Sequence, residues 1–322
     1  MNRFSLIAVL IFFATVIITS CKKDDDEEKF ESKIIYGLNL DNYPIVDGST
    51  STFPLNMVIA CELLGIEYQW AQSQTESSWS IEPDIKKRTS DKFFGKVKSS
   101  QTHGSFVNLI RKDAELVLSA RTMSPDEKSF AETSGVTLIE TPIALDAFIF
   151  IVHPHNPITS LTIEQIQDIY TGKITNWKEV GGNDAQINSY ARNPNSGSQE
   201  LMELMVMRDL EFQQLPISPE IPQIGGMVPV FERVSIDVNA ICYTIYYFKE
   251  NILKDVYTKT IAIEGIQPNK NSIINNSFPL VADVYAIIRS DLDKSSMAYK
   301  VYEFLQTEAG KQIIAKSGYL PY

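Results

Sequence analysis

Residues 47–65 read DGSTSTFPLNMVIACELLG, and the way they divide sets the pattern for the chain. Small hydroxyl residues run up to Pro54. A proline has a fixed φ and no N–H to lose, so it suits a first helical turn. Leu55, Val58, Ile59 and Leu63 then share one helical face, and Gly65 supplies a stop. The spacing predicts a helix over Phe53–Leu64, headed by a loop of glycine and hydroxyls. Two further segments have this form. His103-Gly104-Ser105 precedes a helical pattern at Ser105–Lys112. Arg192-Asn193-Pro194-Asn195-Ser196-Gly197-Ser198 precedes one at Gln199–Met207, with Ser196 and Gln199 at capping-box spacing. Thr162 and Gln165 repeat that spacing ahead of Ile166 and Ile169.

Apolar runs with strand character lie between the helical patterns: Glu115–Ser119, Ala147–Val152, Ala240–Thr244 and Val284–Ile288. Helical patterns also cover Thr162–Tyr170 and Ser296–Gln306. Alternation of the two kinds from about Lys33 onward predicts an α/β architecture. The length, 322 residues, suits one large or two medium domains, and no internal repeat is present.

The first residues do not belong to that pattern. Arg3 opens the chain with positive charge, and an apolar run covers Leu6 to Ile18. The run is too short to span a bilayer and reads as a signal h-region. Ile18-Thr19-Ser20-Cys21 resembles a bacterial lipobox, so residues 1–20 are expected to be a signal peptide and Cys21 the lipid-attachment site. Lys22 to Glu28 (KKDDDEE) has no apolar residue, and residues 21–33 are expected to form an acidic tether. The protein is therefore expected to be lipid-anchored on an extracytoplasmic surface, periplasmic or cell-exterior. Cys61 and Cys242 fall within apolar patterns with no disulfide or zinc spacing, and are expected to be buried.

A helix N-terminus carries unpaired N–H groups and the positive end of a dipole. Hydroxyls add donors, and glycine allows close backbone approach. Three such ends with an arginine among them suit a small oxyanion. The formal charge of −11 argues against nucleic acid, which needs basic stripes. Catalysis has little to work with. The three histidines, His103, His153 and His155, sit in weak contexts, and no G-x-S-x-G or phosphate-loop pattern is present. No enzyme activity, metal site or cofactor is expected. His153 and His155 read as a surface loop, and Trp70, Trp79 and Trp177 as packing residues.

Taken together, VDGSTSTFPL (46–55), LTIEQIQDIYTGKITNW (161–177), ARNPNSGSQ (191–199) and AGKQIIAKSGYLPY (309–322) resemble the phosphate-type substrate-binding proteins of bacterial ABC importers. Asn239–Tyr243 and Phe278–Leu280 resemble further family segments, and the likeness covers nearly all of residues 44–322. It implies a type II periplasmic binding protein fold: two α/β lobes, two strand crossovers and a central ligand cleft. The implied division is 34–145 and 280–322 in one lobe, 146–279 in the other. Carried across, Ser49, Thr50, Ser51 and Thr52 form a first anion loop, and Gly104 and Ser105 loosely match a second. Arg192, Ser196, Gly197 and Ser198 form a third. Classical phosphate binders have a carboxylate where this chain has Ala120, followed by Arg121. That arginine either contacts the ligand or pairs with an acidic neighbour. The implied partners are inorganic phosphate or a similar oxyanion, an ABC importer permease, and the membrane through the anchor, with the protein a monomer. The rival readings are a surface lipoprotein on this scaffold without a transport role and, more remotely, a hydrolase.

Overall fold

The computed structural model describes residues 29–73, 77–194, 196–212 and 227–322. The signal, lipidation and most of the tether expectations, on residues 1–28, lie outside them. Phe30 already packs against the core, and Ser32 N–H donates to Leu38 O at 2.8 Å. The chain thus joins the fold within the segment read as tether.

The first half runs β1 (Val46–Gly48), α1 (Phe53–Leu64), a hairpin of β2 (Tyr68–Gln72) and β3 (Trp79–Pro83), α2 (Lys87–Lys96), α3 (Gln101–Arg111), β4 (Leu116–Ser119) and α4 (Pro125–Thr133). The long β5 (Leu138–Val152) leads into the second half: β6 (Ser160–Leu161), α5 (Ile163–Tyr170), β7 (Asn188–Ser189), α6 (Gly197–Leu201), α7 (Val228–Ile236), β8 (Ala240–Ile245), β9 (Lys259–Thr260), β10 (Ala262–Ile263) and α8 (Lys270–Ile274). The chain returns through β11 (Val281–Arg289), α9 (Met297–Phe304), α10 (Glu308–Lys316) and β12 (Leu320–Pro321).

The main sheet has the order β1-β4-β11-β5-β8-β7. β5 belongs to both halves. Its first part pairs antiparallel with β11, Leu138 opposite Arg289 and Ala147 opposite Val281. Its last part pairs with β8, Phe148 opposite Ile245 and Val152 opposite Ile241. β5 and β11 are the crossovers that the resemblance implied. A strand buried from Asp146 onward reads as an unbroken apolar run, which is why Ala147–Val152 stood out. The more polar Leu138–Asp146 did not.

Local signals account for most helix ends. Pro54 sits in the first turn of α1, and Gly65 caps its C-terminus. Thr162 and Gln165 form the expected reciprocal capping box on α5. α6 keeps only half of one: Ser196 Oγ accepts the Gln199 N–H at 3.2 Å, but the Gln199 side chain is engaged elsewhere. The helix then continues as a π-helical turn over Met202–Met207. Cys61 and Cys242 are buried free thiols, and burial pushes both up to about 12. His153 is buried rather than on a surface loop, because its ring packs against His155 and Tyr257 at centroid distances of 5.1 and 5.4 Å.

The crossing holds one buried carboxyl. Asp146 lies opposite Ala282 and is 1% exposed. Its Oδ1 accepts the N–H of Ala147 at 2.8 Å and of Tyr247 at 2.9 Å, while Oδ2 has no partner among the described residues. Burial raises its pKa to about 7. The folded state then holds this proton more tightly than the unfolded chain, whose Asp titrates near ~4. The stabilisation is complete below that value and is lost as pH rises towards 7. In urea titrations, Asp146→Asn should flatten this fall and gain about 1–3 kcal/mol at pH 8. An unchanged pH profile would place the titration elsewhere.

Candidate functional site

Four strands direct their carboxyl ends to one place, the position where open α/β sheets bind ligands. β1 ends at Gly48 and β4, parallel to it, at Ser119. β7 and β8, also parallel, lead to the Arg192 segment and to Ile245. Between them is a cavity of about 40 Å³. A single water needs roughly 10–15 Å³, so this space suits a small polyatomic ion rather than a sugar or peptide. Ser49, Thr50, Ser51, Gln101, Thr102, Ala120 and Arg121 line it from the first half. Arg192, Asn193, Ser196, Gly197, Ser198, Leu201, Met227 and Ile245 line it from the second. No acidic side chain is among these described lining residues.

Glycine at position 48 is required by the approach of β4. A Cβ there would stand 2.7 Å from Leu118 O and 2.8 Å from Thr52 Oγ1. The loop that follows is bonded to itself. Ser49 Oγ lies 3.0 Å from Ser51 Oγ and 2.9 Å from Thr52 Oγ1. Thr52 is the exception to the expected hydroxyl cradle. Its side chain is fully buried and donates to Leu118 O at 2.7 Å, so it pins the loop to β4 and does not line the cavity.

The second loop also differs from expectation. α3 begins at Gln101, so Gly104 and Ser105 lie inside the helix. Ser105 Oγ turns back to Thr102 O at 2.8 Å, and the lining residues are Gln101 and Thr102. The cause is Asp47, which sequence reasoning passed over. Its Oδ1 accepts the N–H of Gly48 and of Ser100, both at 2.8 Å, and its Oδ2 accepts Asn108 Nδ2 at 2.7 Å. This buried carboxylate ties the start of α3 to the first loop from outside the helix.

Arg121 resolves in favour of an acidic partner, at the cavity edge. Its two terminal nitrogens donate to Glu127 Oε2 at 2.7 Å and Oε1 at 2.8 Å, and its guanidinium lies over the Phe106 ring at 5.3 Å. Glu127 further accepts the Ser124 N–H at 2.9 Å, and His103 Nδ1 lies 3.1 Å from its Oε1. Arg121 Nε has no partner among the described residues.

Arg192 is placed from beneath by an aromatic core. Tyr243 packs among Phe148, Phe150 and Tyr170 at centroid distances of 5.4, 6.0 and 5.6 Å. Its hydroxyl accepts the Arg192 N–H at 2.9 Å and donates to Gln199 Oε1, which also accepts the Arg192 N–H at 3.2 Å. That is where the missing half of the capping box went. Burial lowers the Arg192 pKa, yet a guanidinium starts so high that it stays charged. Across the cavity, Gly197 meets α3: a Cβ would stand 2.8 Å from Thr102 Oγ1. A side chain here would have to push the Thr102 hydroxyl aside, so glycine favours this close approach of the two halves.

A family model described as the PBP superfamily domain matches residues 81–308. The phosphate-binding protein PstS of Borreliella burgdorferi is 27% identical over 217 residues, 66% of this chain and 74% of that relative. PstS of Staphylococcus epidermidis is 25% identical over 247 residues, 73% of this chain and 74% of that relative. Among solved structures, a substrate-binding protein from Clostridium perfringens with bound phosphate superposes with a TM-score of 0.60 at 23% identity, covering 86% of this chain and 98% of that one. An ABC-type phosphate transport receptor from Vibrio cholerae gives 0.57 at 22% identity, covering 85% and 98%. These likenesses carry the two-lobe fold. The family match, over the greater part of the chain, carries the assignment: this protein belongs to the PBP superfamily and is similar, within it, to phosphate-type substrate-binding proteins.

Proposed function

We propose that the protein is a lipid-anchored, extracytoplasmic solute-binding protein. It captures a tetrahedral oxyanion, phosphate first, and delivers it to an ABC importer. The observation that carries this reading is the lining itself: the hydroxyl residues Ser49, Thr50, Ser51, Ser196 and Ser198 line one small cavity together with Arg121 and Arg192. A desolvated oxyanion loses several water hydrogen bonds, and each must be replaced by a donor. The relatives named for phosphate binding favour phosphate among such ions. The lobes are taken to divide at 34–145 with 280–322 and at 146–279. The switch in pairing of β5 between Ala147 and Phe148 supports that division. The anchor at Cys21 and a monomeric state complete the reading.

Calorimetric titration of the purified protein with phosphate and with sulfate, at pH 6 and pH 8, tests it. Phosphate should bind. With Ala120 in place of a carboxylate acceptor, its affinity should not fall as pH rises through the second ionisation. Sulfate, which has no proton to donate, should compete. Failure to bind either anion overturns the reading, and strong exclusion of sulfate would mean that another group accepts a proton from the ligand.

A further inference from the structure

The C-terminal segment reaches the first loop. Tyr319 is 2% exposed, and its hydroxyl donates to Ser51 O at 3.0 Å. β12 holds the segment in place by pairing with β5, Leu320 opposite Leu145 and Pro321 opposite Ala144. The Tyr319 ring lies flat on the Tyr247 ring, 3.7 Å apart and within 6° of parallel. Tyr247 follows β8, and its N–H is bound to Asp146 on the crossing strand at 2.9 Å. Burial, with the Asp146 carboxylate nearby, holds the Tyr319 phenol well above its ordinary pKa, so its proton remains available to donate.

The bond matters because of what lies on the other side of the peptide. The Ser51–Thr52 peptide is trans, as all described peptides are, so the Ser51 C=O and the Thr52 N–H point in opposite directions. With the carbonyl held by Tyr319, the Thr52 N–H is turned towards Ser49 Oγ, 3.2 Å away, on the loop that lines the cavity. A flipped peptide would present a carbonyl oxygen there, and a carbonyl repels an anion.

We infer that Tyr319 is a positioning residue for anion binding: it fixes the Ser51–Thr52 peptide with its donor towards the anion loop and its acceptor away. This rests on the oxyanion reading of the cavity. Through the ring stack, loop orientation is also tied to the strand that crosses between the lobes. The residue touches no ligand, and it lies 268 positions from its acceptor.

The test compares two deletions of one hydroxyl within the same stacked pair. Tyr319→Phe removes the bond to the loop. Tyr247→Phe removes a buried bond to Ser317 O, 2.9 Å long, which is not part of the loop. One hydrogen bond's net worth predicts that Tyr319→Phe weakens phosphate binding about three- to tenfold. Tyr247→Phe should lower the melting temperature comparably and leave the dissociation constant within about twofold, since the effect of its bond stays in the C-terminal turn. Equal affinity of Tyr319→Phe and wild type overturns the inference alone, as does an equal loss in both variants, which would make the role merely structural. A wild-type protein that binds neither phosphate nor sulfate overturns the cavity reading and this inference together.

Discussion

Arg192→Ala should weaken oxyanion binding by roughly tenfold to about a hundredfold while the fold stays intact. A hydrogen bond to a charged group is worth about 1.5–3 kcal/mol, and about 1.4 kcal/mol is a factor of ten in affinity. The fold is spared because the backbone at this position is held independently of the guanidinium. Tyr243 and Gln199 accept its N–H, and both are fixed by the packed second lobe. Ser198→Ala should cost less than this, since the backbone donors of the same turn remain. Titration of each variant with phosphate, beside circular dichroism to check folding, decides the matter. An Arg192→Ala protein with wild-type affinity would show that the anion binds elsewhere.

What the sequence revealed and what it hid follow a physical line. Pro54 and Gly65 act within a turn of where they stand, so α1 could be delimited from them. The lining of Ser49–Ser51 followed from the same local grammar. Thr52 lies off the lining because its acceptor, Leu118 O, is 66 positions away and could not be read locally. Gly104 and Ser105, a loose match from the start, lie inside α3 and off the lining for a similar reason. The start of α3 is set by Asp47, 53 positions upstream of Ser100, and no local cap marks it. Ser99-Ser100 ahead of Gln101 was the available signal, and it was weaker than the glycine that drew attention. The partner of Arg121 was left open between the ligand and an acidic neighbour; Ser124 and Glu127 at capping-box spacing were the available signal, since that box places the carboxylate beside the arginine. Tyr319 could not be found without the fold, since nothing in SGYLPY points to a loop at the other end of the chain.

The Arg121–Glu127 pair gives the largest expected effect on stability. Both side chains are almost wholly buried, at 4% and 0% exposure, so neither charge has water to fall back on. Removing one partner leaves the other uncompensated, a situation that costs about 3–5 kcal/mol in buried pairs. Native domains have only about 5–15 kcal/mol in total, so Glu127→Ala should bring the protein close to its folding limit. Arg121→Ala should cost a comparable amount, with the loss of contact to Phe106 added. The double variant should lose far less than the two single losses combined, because it strands no charge. Urea unfolding of the three variants and the wild type gives the coupling directly. Additive losses would mean that the two charges are each solvated and that the pair is not what holds α4 to the cavity edge. The pair also sets the field of the site. Glu127 neutralises Arg121, whose Nε is buried and without a partner among the described residues. On the proposed reading, Arg121 is charge-balanced by Glu127 and adds little attraction for an anion, so Arg192, on the opposite side of the cavity, should supply most of it.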